Sequence, residues 1–153
     1  MLNFRLMNYK KFALMIVCSF IIMYFIMFLN MNNVKDYYTS LTRIYMTILM
    51  ISPMTVMMLV MMPKMYDNKN INRLIIFLSI VFFAGSFTAL RNQTAVNDIQ
   101  YLKAMIPHHS SAIMTSISAN IKDPEVRKLA DSIAVSQQRE IDEMNSILQR
   151  LSK

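Results

Sequence analysis

The side chains best suited to metal binding or catalysis lie in one stretch near the C-terminal end of the chain. His108 and His109 are its only two histidines, and Met105 precedes them by three and four residues. On a helix, positions three or four apart share a face, whereas adjacent positions point about 100° apart. Met105 with His109 is therefore the better chelating pair, and Met105 with His108 is the next. Imidazole and thioether donors favour copper, particularly Cu(I), over hard cations.

A second polar group follows some thirty residues later, where Gln137 interrupts an apolar pattern, Glu140 lies adjacent to it on the helix and Met144 comes one turn after Glu140. Counted from a turn near residue 122, His109 lies thirteen residues before it and Gln137 fifteen after it. An antiparallel helix pair would bring these positions to nearly the same height. Because buried polar groups need partners, we expect a polar site there, to which Gln137, Glu140 and Met144 contribute ligands or supporting hydrogen bonds. A metal-free arrangement, with His109 hydrogen-bonded to Gln137 or Glu140, fits the same pattern.

Two amphipathic helices, near 95–120 and 124–151, are predicted to position these residues. In each helix the apolar residues recur at spacings of three and four. They are Ile99, Leu102, Ile106, Ile113 and Ile117 in the first helix, and Val126, Leu129, Ile133, Ile141, Met144, Leu148 and Leu151 in the second. Asp123 is a suitable N-cap, Pro124 suits the first helical position and Glu125 complements the helix dipole. The pattern predicts an antiparallel hairpin within a C-terminal domain, 92–153.

The preceding part of the chain, 1–91, is predicted to be a membrane domain. It contains three long apolar runs, near 12–29, 44–62 and 74–90. Each is about long enough to cross the ~30 Å hydrocarbon core as a helix. The first run is longer than the apolar part of a signal peptide and lacks a small-residue cleavage site after it, so we expect it to remain as an anchor. Pro53 is expected to kink the second span.

Basic residues near the ends of the runs predict the orientation of the chain. Three Lys or Arg residues precede the first run, two follow it, and three lie between the second and third. Since positively charged segments stay in the cytoplasm, the N-terminus is expected inside and the C-terminal domain outside.

Charge and cysteine content exclude other classes. The net charge of +7 arises mostly from residues 1–90, which have eight basic and two acidic residues, against eight and seven in the remainder. Basic residues that flank apolar runs are topology signals, so no nucleic-acid partner is expected. The change in acidic content predicts a boundary near Arg91. Cys18 is the only cysteine, which excludes an intramolecular disulfide and a thiolate cluster.

Methionines crowd the second apolar run, many of them three or four residues apart. They are Met46, Met50, Met54, Met57, Met58, Met61 and Met62, with Met65 just beyond. A thioether stripe in a membrane span is a feature of some copper-uptake channels. Adaptable apolar packing explains the same residues, and no transport function is inferred from them.

The C-terminal motifs resemble the domain of unknown function 305 family. The matching strings are Asp98-x-x-Tyr101-x-x-x-Met105-Ile-Pro-His108-His109-x-x-Ala112-Ile113, Asp123-Pro-Glu-Val, Leu129-Ala-x-x-Ile133 and Gln137-x-x-Glu140-Ile141-x-x-Met144. The resemblance covers roughly 95–150 and implies a ferritin-like helical domain of an extracytoplasmic, copper-associated protein, in a membrane-anchored branch. It implies a site around the six residues Met105, His108, His109, Gln137, Glu140 and Met144.

The chain departs from the family pattern in three respects. Thr115 stands where a second methionine is common, Tyr101 replaces the usual phenylalanine, and no Met/His-rich extension follows. These departures argue against a high copper capacity and are compatible with a single metal site.

The fold class expected is therefore an all-α membrane protein: three transmembrane helices followed by an extracytoplasmic antiparallel hairpin of the ferritin-like type, which a homodimer would complete to a four-helix bundle. The function expected is that of a membrane-anchored, non-enzymatic protein that binds a copper ion on the outer side of a bacterial cell membrane. A helical interaction or oligomerisation module without metal is the alternative. Neither histidine has the Glu-x-x-His pattern of di-iron enzymes, and no catalytic triad is indicated.

Overall fold

The computed structural model describes residues 2–152, with side chains from Tyr9 onward, and it is helical. Its five α-helices are α1 (Leu2–Ile26), α2 (Leu41–Met61), α3 (Lys69–Arg91), α4 (Asp98–Ser118) and α5 (Pro124–Leu151). A short 3₁₀ helix, Val34–Asp36, lies in the loop between α1 and α2. Within the described residues there is no strand, so the predicted all-α class is confirmed.

The first three helices are long and apolar enough to cross a membrane, over Tyr9–Ile26, Leu41–Met61 and Lys69–Arg91. The first ends three residues before the predicted limit at 29. The third begins five residues before the predicted start at 74, because the Asn68 side chain caps it by accepting from the backbone N–H groups of Asn70 and Ile71. Large apolar side chains are exposed along these helices, including Ile22 and Phe77. Lipid-facing helices show this pattern, whereas soluble monomers rarely expose such extended apolar surface.

The chain divides into two compact units, of which one comprises the chain up to Ile26 together with Arg43–Thr94. Its small core contains Phe12, Leu59 and Tyr66, and the rings of Phe12 and Tyr66 meet edge to face at 5.0 Å. A cavity of about 480 Å³ lies between its helices. The α2 residues that line the cavity are Ile48, Ile51, Ser52 and Thr55. Among the described residues no methionine lines it, and Met57 and Met61 are exposed instead.

The other unit comprises Met27–Thr42 and the chain from Ala95 onward. In it, α4 and α5 form the predicted hairpin around a core of Leu102, Ile106, Ile113, Ile141 and Leu148. The predicted cap of α5 is confirmed, because the Asp123 side chain accepts from two backbone N–H groups and Pro124 takes the first helical position. The α4 helix starts at Asp98 because Asn97 caps it.

The apolar pattern of α5 is buried over only part of its length. Ile141 and Leu148 are buried as expected, but Val126, Leu129 and Ile133 are exposed, and Ala130 is the buried residue of the first turns. The reason is geometric: a row of residues spaced by alternate threes and fours drifts around a helix of 3.6 residues per turn. Val126, Leu129 and Ile133 therefore lie beside the line of contact with α4.

Candidate functional site

The centre of the hairpin contains one close contact between ionisable side chains. Nδ1 of His109 on α4 lies 3.2 Å from Oε2 of Glu140 on α5. His109 is 8% exposed, whereas the Glu140 side chain is 40% exposed. The distance is that of an ion pair, but no hydrogen bond of acceptable geometry joins the two groups. Nδ1 is thus a buried nitrogen without a hydrogen-bond partner among the described residues.

Glu140 is oriented from within its own helix. Its Oε1 accepts a hydrogen bond of 2.8 Å from the Ser136 hydroxyl, one turn earlier. This contact directs the other carboxylate oxygen towards His109. The position of Glu140 therefore results from α5 itself together with the antiparallel packing of α5 on α4.

The environment of His109 favours its neutral form. Burial lowers the pKa of its imidazole below the ordinary value of 6.5, Glu140 opposes this shift, and His108 adds to it. Burial has the largest effect because removing an imidazolium from water is costly. His109 is therefore neutral at neutral pH, which is the form that binds metal ions.

The remaining predicted site residues lie at different depths around this contact. His108 is exposed, and its ring centroid lies 6.1 Å from that of His109 with the planes at 66°, so adjacent positions diverge as helical geometry requires. Met105 is half-buried one turn before His109. Gln137 is half-buried and makes no hydrogen bond to the described residues, and Met144 packs against the apolar core.

The chemistry of the donors decides which metals would fit. Within the part of the chain that the structure describes, no three His, Cys, Asp or Glu residues are grouped as a metal site. A zinc site typically gathers three or four such imidazole, thiolate and carboxylate groups. The other soft or nitrogen donors on this part of α4 are the thioether of Met105, half-buried one turn before His109, and the exposed imidazole of His108. This set fits a soft ion with few ligands, as Cu(I) is.

A second polar centre, which the sequence did not predict, lies on the neighbouring face of α4. The Ser110 hydroxyl is fully buried and donates a 2.6 Å hydrogen bond to Oδ2 of Asp36, which is also buried. The same hydroxyl oxygen accepts from the backbone N–H groups of Asn32 and Asn33, at 3.0 and 3.3 Å. One small side chain thereby fastens the loop Met27–Thr42 to α4.

Two further hydrogen bonds extend this attachment along the hairpin. The Tyr38 hydroxyl donates to Oδ1 of Asn145 at 3.0 Å, and the Leu41 backbone N–H donates to Oε1 of Gln100 at 2.9 Å. The feature of the sequence that could have indicated this second polar centre is Asp36, one of only two acidic residues before Arg91. An isolated acid in a loop between apolar runs indicates a specific partner, but it does not identify Ser110.

Comparison with known proteins finds a family match over the C-terminal part of the chain and one similar protein over most of its length. The sequence model of the domain of unknown function 305 matches residues 83–153, which include the whole hairpin. An uncharacterized protein of Acanthamoeba polyphaga mimivirus is 41% identical over 145 residues, which cover 93% of each chain. No solved structure matches the chain. Because the family model matches the hairpin and this relative matches almost the whole chain, the chain belongs to the domain of unknown function 305 family.

Proposed function

We propose that this protein binds a copper ion at the centre of its C-terminal hairpin, with His109 as the principal ligand. The observation that supports the proposal is the Nδ1 atom of His109, a neutral, buried nitrogen that faces Glu140 without a hydrogen bond. An unsatisfied buried nitrogen costs about 1–3 kcal/mol, and coordination of a metal ion would remove that cost. The match to the family supports copper as the ion, through the resemblance of the motifs described above.

Each predicted ligand has a role in this proposal. Met105 and His108, one turn before and one residue before His109, supply the further soft and imidazole donors. Glu140 lies beside Nδ1 of His109 and offsets part of the charge of the ion. Gln137 and Met144 contribute from α5, Gln137 by hydrogen bonding and Met144 by closing the apolar side of the site. Bound copper is held and exchanged here, without catalysis.

The protein is proposed to hold this site outside the cytoplasm, anchored in a membrane by α1–α3. The basic residues near the helix ends support this orientation, and the three apolar helices support membrane insertion.

The test is a Cu(I) titration of the purified full-length chain in detergent, against a chromophoric chelator that competes for the ion. The full chain is needed because Met27–Thr42 packs on the hairpin. The experiment uses the Cys18→Ser background, which removes the only thiol. We expect tight binding that is lost in His109→Ala, and weakened in Met105→Leu but not in the matched control Met114→Leu. Equal binding by all four chains would refute the proposal.

A second function, a helical interaction module without metal, is favoured by one observation. Val126, Leu129 and Ile133 form an exposed apolar row on α5. If this function alone applies, copper leaves the thermal unfolding of the chain unchanged and His109→Ala has no effect on copper binding.

A further inference from the structure

The cavity between α1, α2 and α3 has a wall suited to hydrocarbon. Its volume is about 480 Å³, and most of the side chains that line it are apolar. Three buried hydroxyl groups also belong to the wall, those of Ser52, Thr55 and Ser79. Each donates to a carbonyl one turn earlier in its own helix, at 2.7 to 2.8 Å. These hydroxyl groups therefore have no free hydrogen for a polar ligand, and the wall favours an apolar one.

The cavity extends through about half the thickness of a bilayer. Along α3 its wall runs from Ile71 to Phe82, which is about 16 Å at the rise of an α-helix. The hydrocarbon core of a bilayer is about 30 Å thick, so the wall spans about one leaflet. A membrane helix of a second copy would need a groove along the whole core, whereas the acyl chain of a lipid occupies one leaflet. The depth of the cavity favours the acyl chain.

The wall of the cavity is open towards the surrounding lipid. Val17 on α1 and Phe82 on α3 both line the cavity, yet they are 55% and 58% exposed. Exposed apolar side chains of a membrane-spanning helix face the bilayer. A lipid chain can therefore enter the cavity sideways from the hydrocarbon core, without crossing a polar barrier.

A polar cluster marks the end of the cavity at which α1 and α3 begin. The Tyr9 hydroxyl, which lines the cavity, donates to Oδ1 of Asn72 at 2.7 Å and accepts from the backbone N–H of Asn68 at 3.2 Å. The side-chain amide of Asn72 donates to the Tyr66 carbonyl at 2.7 Å. These bonds join α1, the loop after α2, and α3. The cavity thus has one polar end and an apolar interior, as a lipid has.

Basic side chains surround this polar end, whereas Asp67 is the only acid in the sequence of the whole unit. Lys10 adjoins the cavity most directly. It precedes Ala13 by three residues and Val17 by seven, so it shares a side of α1 with two residues of the wall. Basic pockets between membrane helices bind anionic lipid headgroups. The exposed basic residues at this end are Lys10, Lys11, Lys64, Lys69 and Arg73.

We propose that the cavity binds one anionic phospholipid, with an acyl chain between α1, α2 and α3 and the phosphate beside Lys10. The basic end matches the charge of the phosphate, and the apolar wall matches the chain. Membrane topology accounts for basic residues at helix ends, but it does not account for a cavity of one leaflet's depth that begins beside them. The inference requires insertion of α1–α3 in a membrane and does not require copper.

The test is native mass spectrometry of the full-length chain in a neutral detergent, with a metal chelator present. The chain is titrated with phosphatidylglycerol or with phosphatidylcholine of identical acyl chains. We expect it to retain one phosphatidylglycerol and to hold phosphatidylcholine more weakly. Ala13→Phe places a ring in the cavity and is expected to abolish retention. Ala84→Phe is the matched control, because Ala84 is also exposed on a membrane-spanning helix but does not line the cavity.

Two adjacent lysines test the headgroup contact. Lys10→Gln is expected to weaken phosphatidylglycerol binding about 5-fold, since each basic residue near an anionic headgroup contributes about that factor. Lys11→Gln should leave binding unchanged, because Lys11 shares its side of α1 with Cys18, which does not line the cavity.

Equal affinity for the two lipids, retention that survives Ala13→Phe, or equal losses in the two lysine variants would each overturn the inference. A dimer free of lipid would also overturn it and would assign the cavity to a second copy of the chain. Because the titration contains no free metal, its result is independent of the copper titration, and either proposal can fail while the other stands.

Discussion

His109 is a buried histidine whose Nδ1 has no hydrogen-bond partner among the described residues. The sequence identified it correctly as a polar interruption of an apolar row that faces α5, because helical periodicity determines which residues share a face. It did not determine which α5 side chain approaches it. Counting from the turn placed Gln137 nearest in height, whereas Glu140, one turn further along α5, makes the contact. Side chains on a helix lean towards its N-terminus, so Glu140 reaches back along α5 towards the level of His109.

The pH dependence of stability follows from the lowered pKa of His109. In the unfolded chain the imidazole takes up a proton near pH 6.5, whereas in the folded chain it does so only at a lower pH. The unfolded state therefore binds more protons between these two values, and the free energy of unfolding falls as the pH falls below 6.5. Above pH 6.5 the contribution is fully present.

The measurement is the thermal unfolding of the metal-free full-length chain from pH 8 to pH 5, beside His109→Gln. The difference in unfolding temperature between the two chains should change below pH 6.5 and stay constant above it. A difference that does not vary with pH would contradict the burial of a neutral His109.

The helices show how far local sequence rules extend. Asp123 with Pro124 gave the start of α5 directly, since a cap and a first-turn proline act within a few residues. The methionines of α2 were harder to interpret, because a period of three and four gives a stripe without saying what it faces. The structure exposes most of that stripe and lines the cavity with isoleucine, serine and threonine, which favours packing in an apolar environment.

The attachment of the loop to α4 can be tested with two adjacent serines. Ser110→Ala removes the hydrogen bond to Asp36 and leaves a buried carboxylate with one donor fewer, at a cost of about 1–3 kcal/mol. Ser111→Ala is the matched control, since the Ser111 hydroxyl only returns to the Pro107 carbonyl of its own helix. Lys35, exposed within the loop, is a natural trypsin site.

We expect trypsin to cut at Lys35 roughly 5- to 150-fold faster in Ser110→Ala than in the wild-type chain. The substitution lowers the free energy needed to open the loop locally by about 1–3 kcal/mol, and the cleavage rate follows the population of the open form. Ser111→Ala should be cut at the wild-type rate. Equal rates in all three chains would show that the loop is held by other contacts.

At the scale of the whole molecule, the boundary predicted from composition differs from the division of the chain into compact units in the structure. Hydropathy and charge change near Arg91, and the three apolar helices precede that point. The loop Met27–Thr42 nevertheless groups with the C-terminal unit. Composition could not reveal this, because the contact between Asp36 and Ser110 joins residues 74 positions apart. Sequence patterns report on neighbours along the chain, whereas such hydrogen bonds depend on the assembled tertiary structure.

The proposed orientation predicts which ends of the helices can be reached from outside. In the Cys18→Ser background, Lys128→Cys on α5 should react with a membrane-impermeant maleimide on intact cells. Lys64→Cys, between α2 and α3, should react only after the membrane is permeabilised, since that basic loop is expected inside. The opposite pattern of labelling would invert the orientation and place the hairpin in the cytoplasm.

The central claim is that His109 and Met105 hold copper, and X-ray absorption of the chain loaded with one equivalent of Cu(I) tests it most directly. The full-length Cys18→Ser chain is used, so that methionine is the only remaining source of sulfur. The account predicts nitrogen and sulfur neighbours around copper, with the sulfur contribution lost in Met105→Leu and retained in Met114→Leu. Sulfur retained in Met105→Leu, or a spectrum of light-atom neighbours alone that is unchanged in His109→Ala, would contradict it.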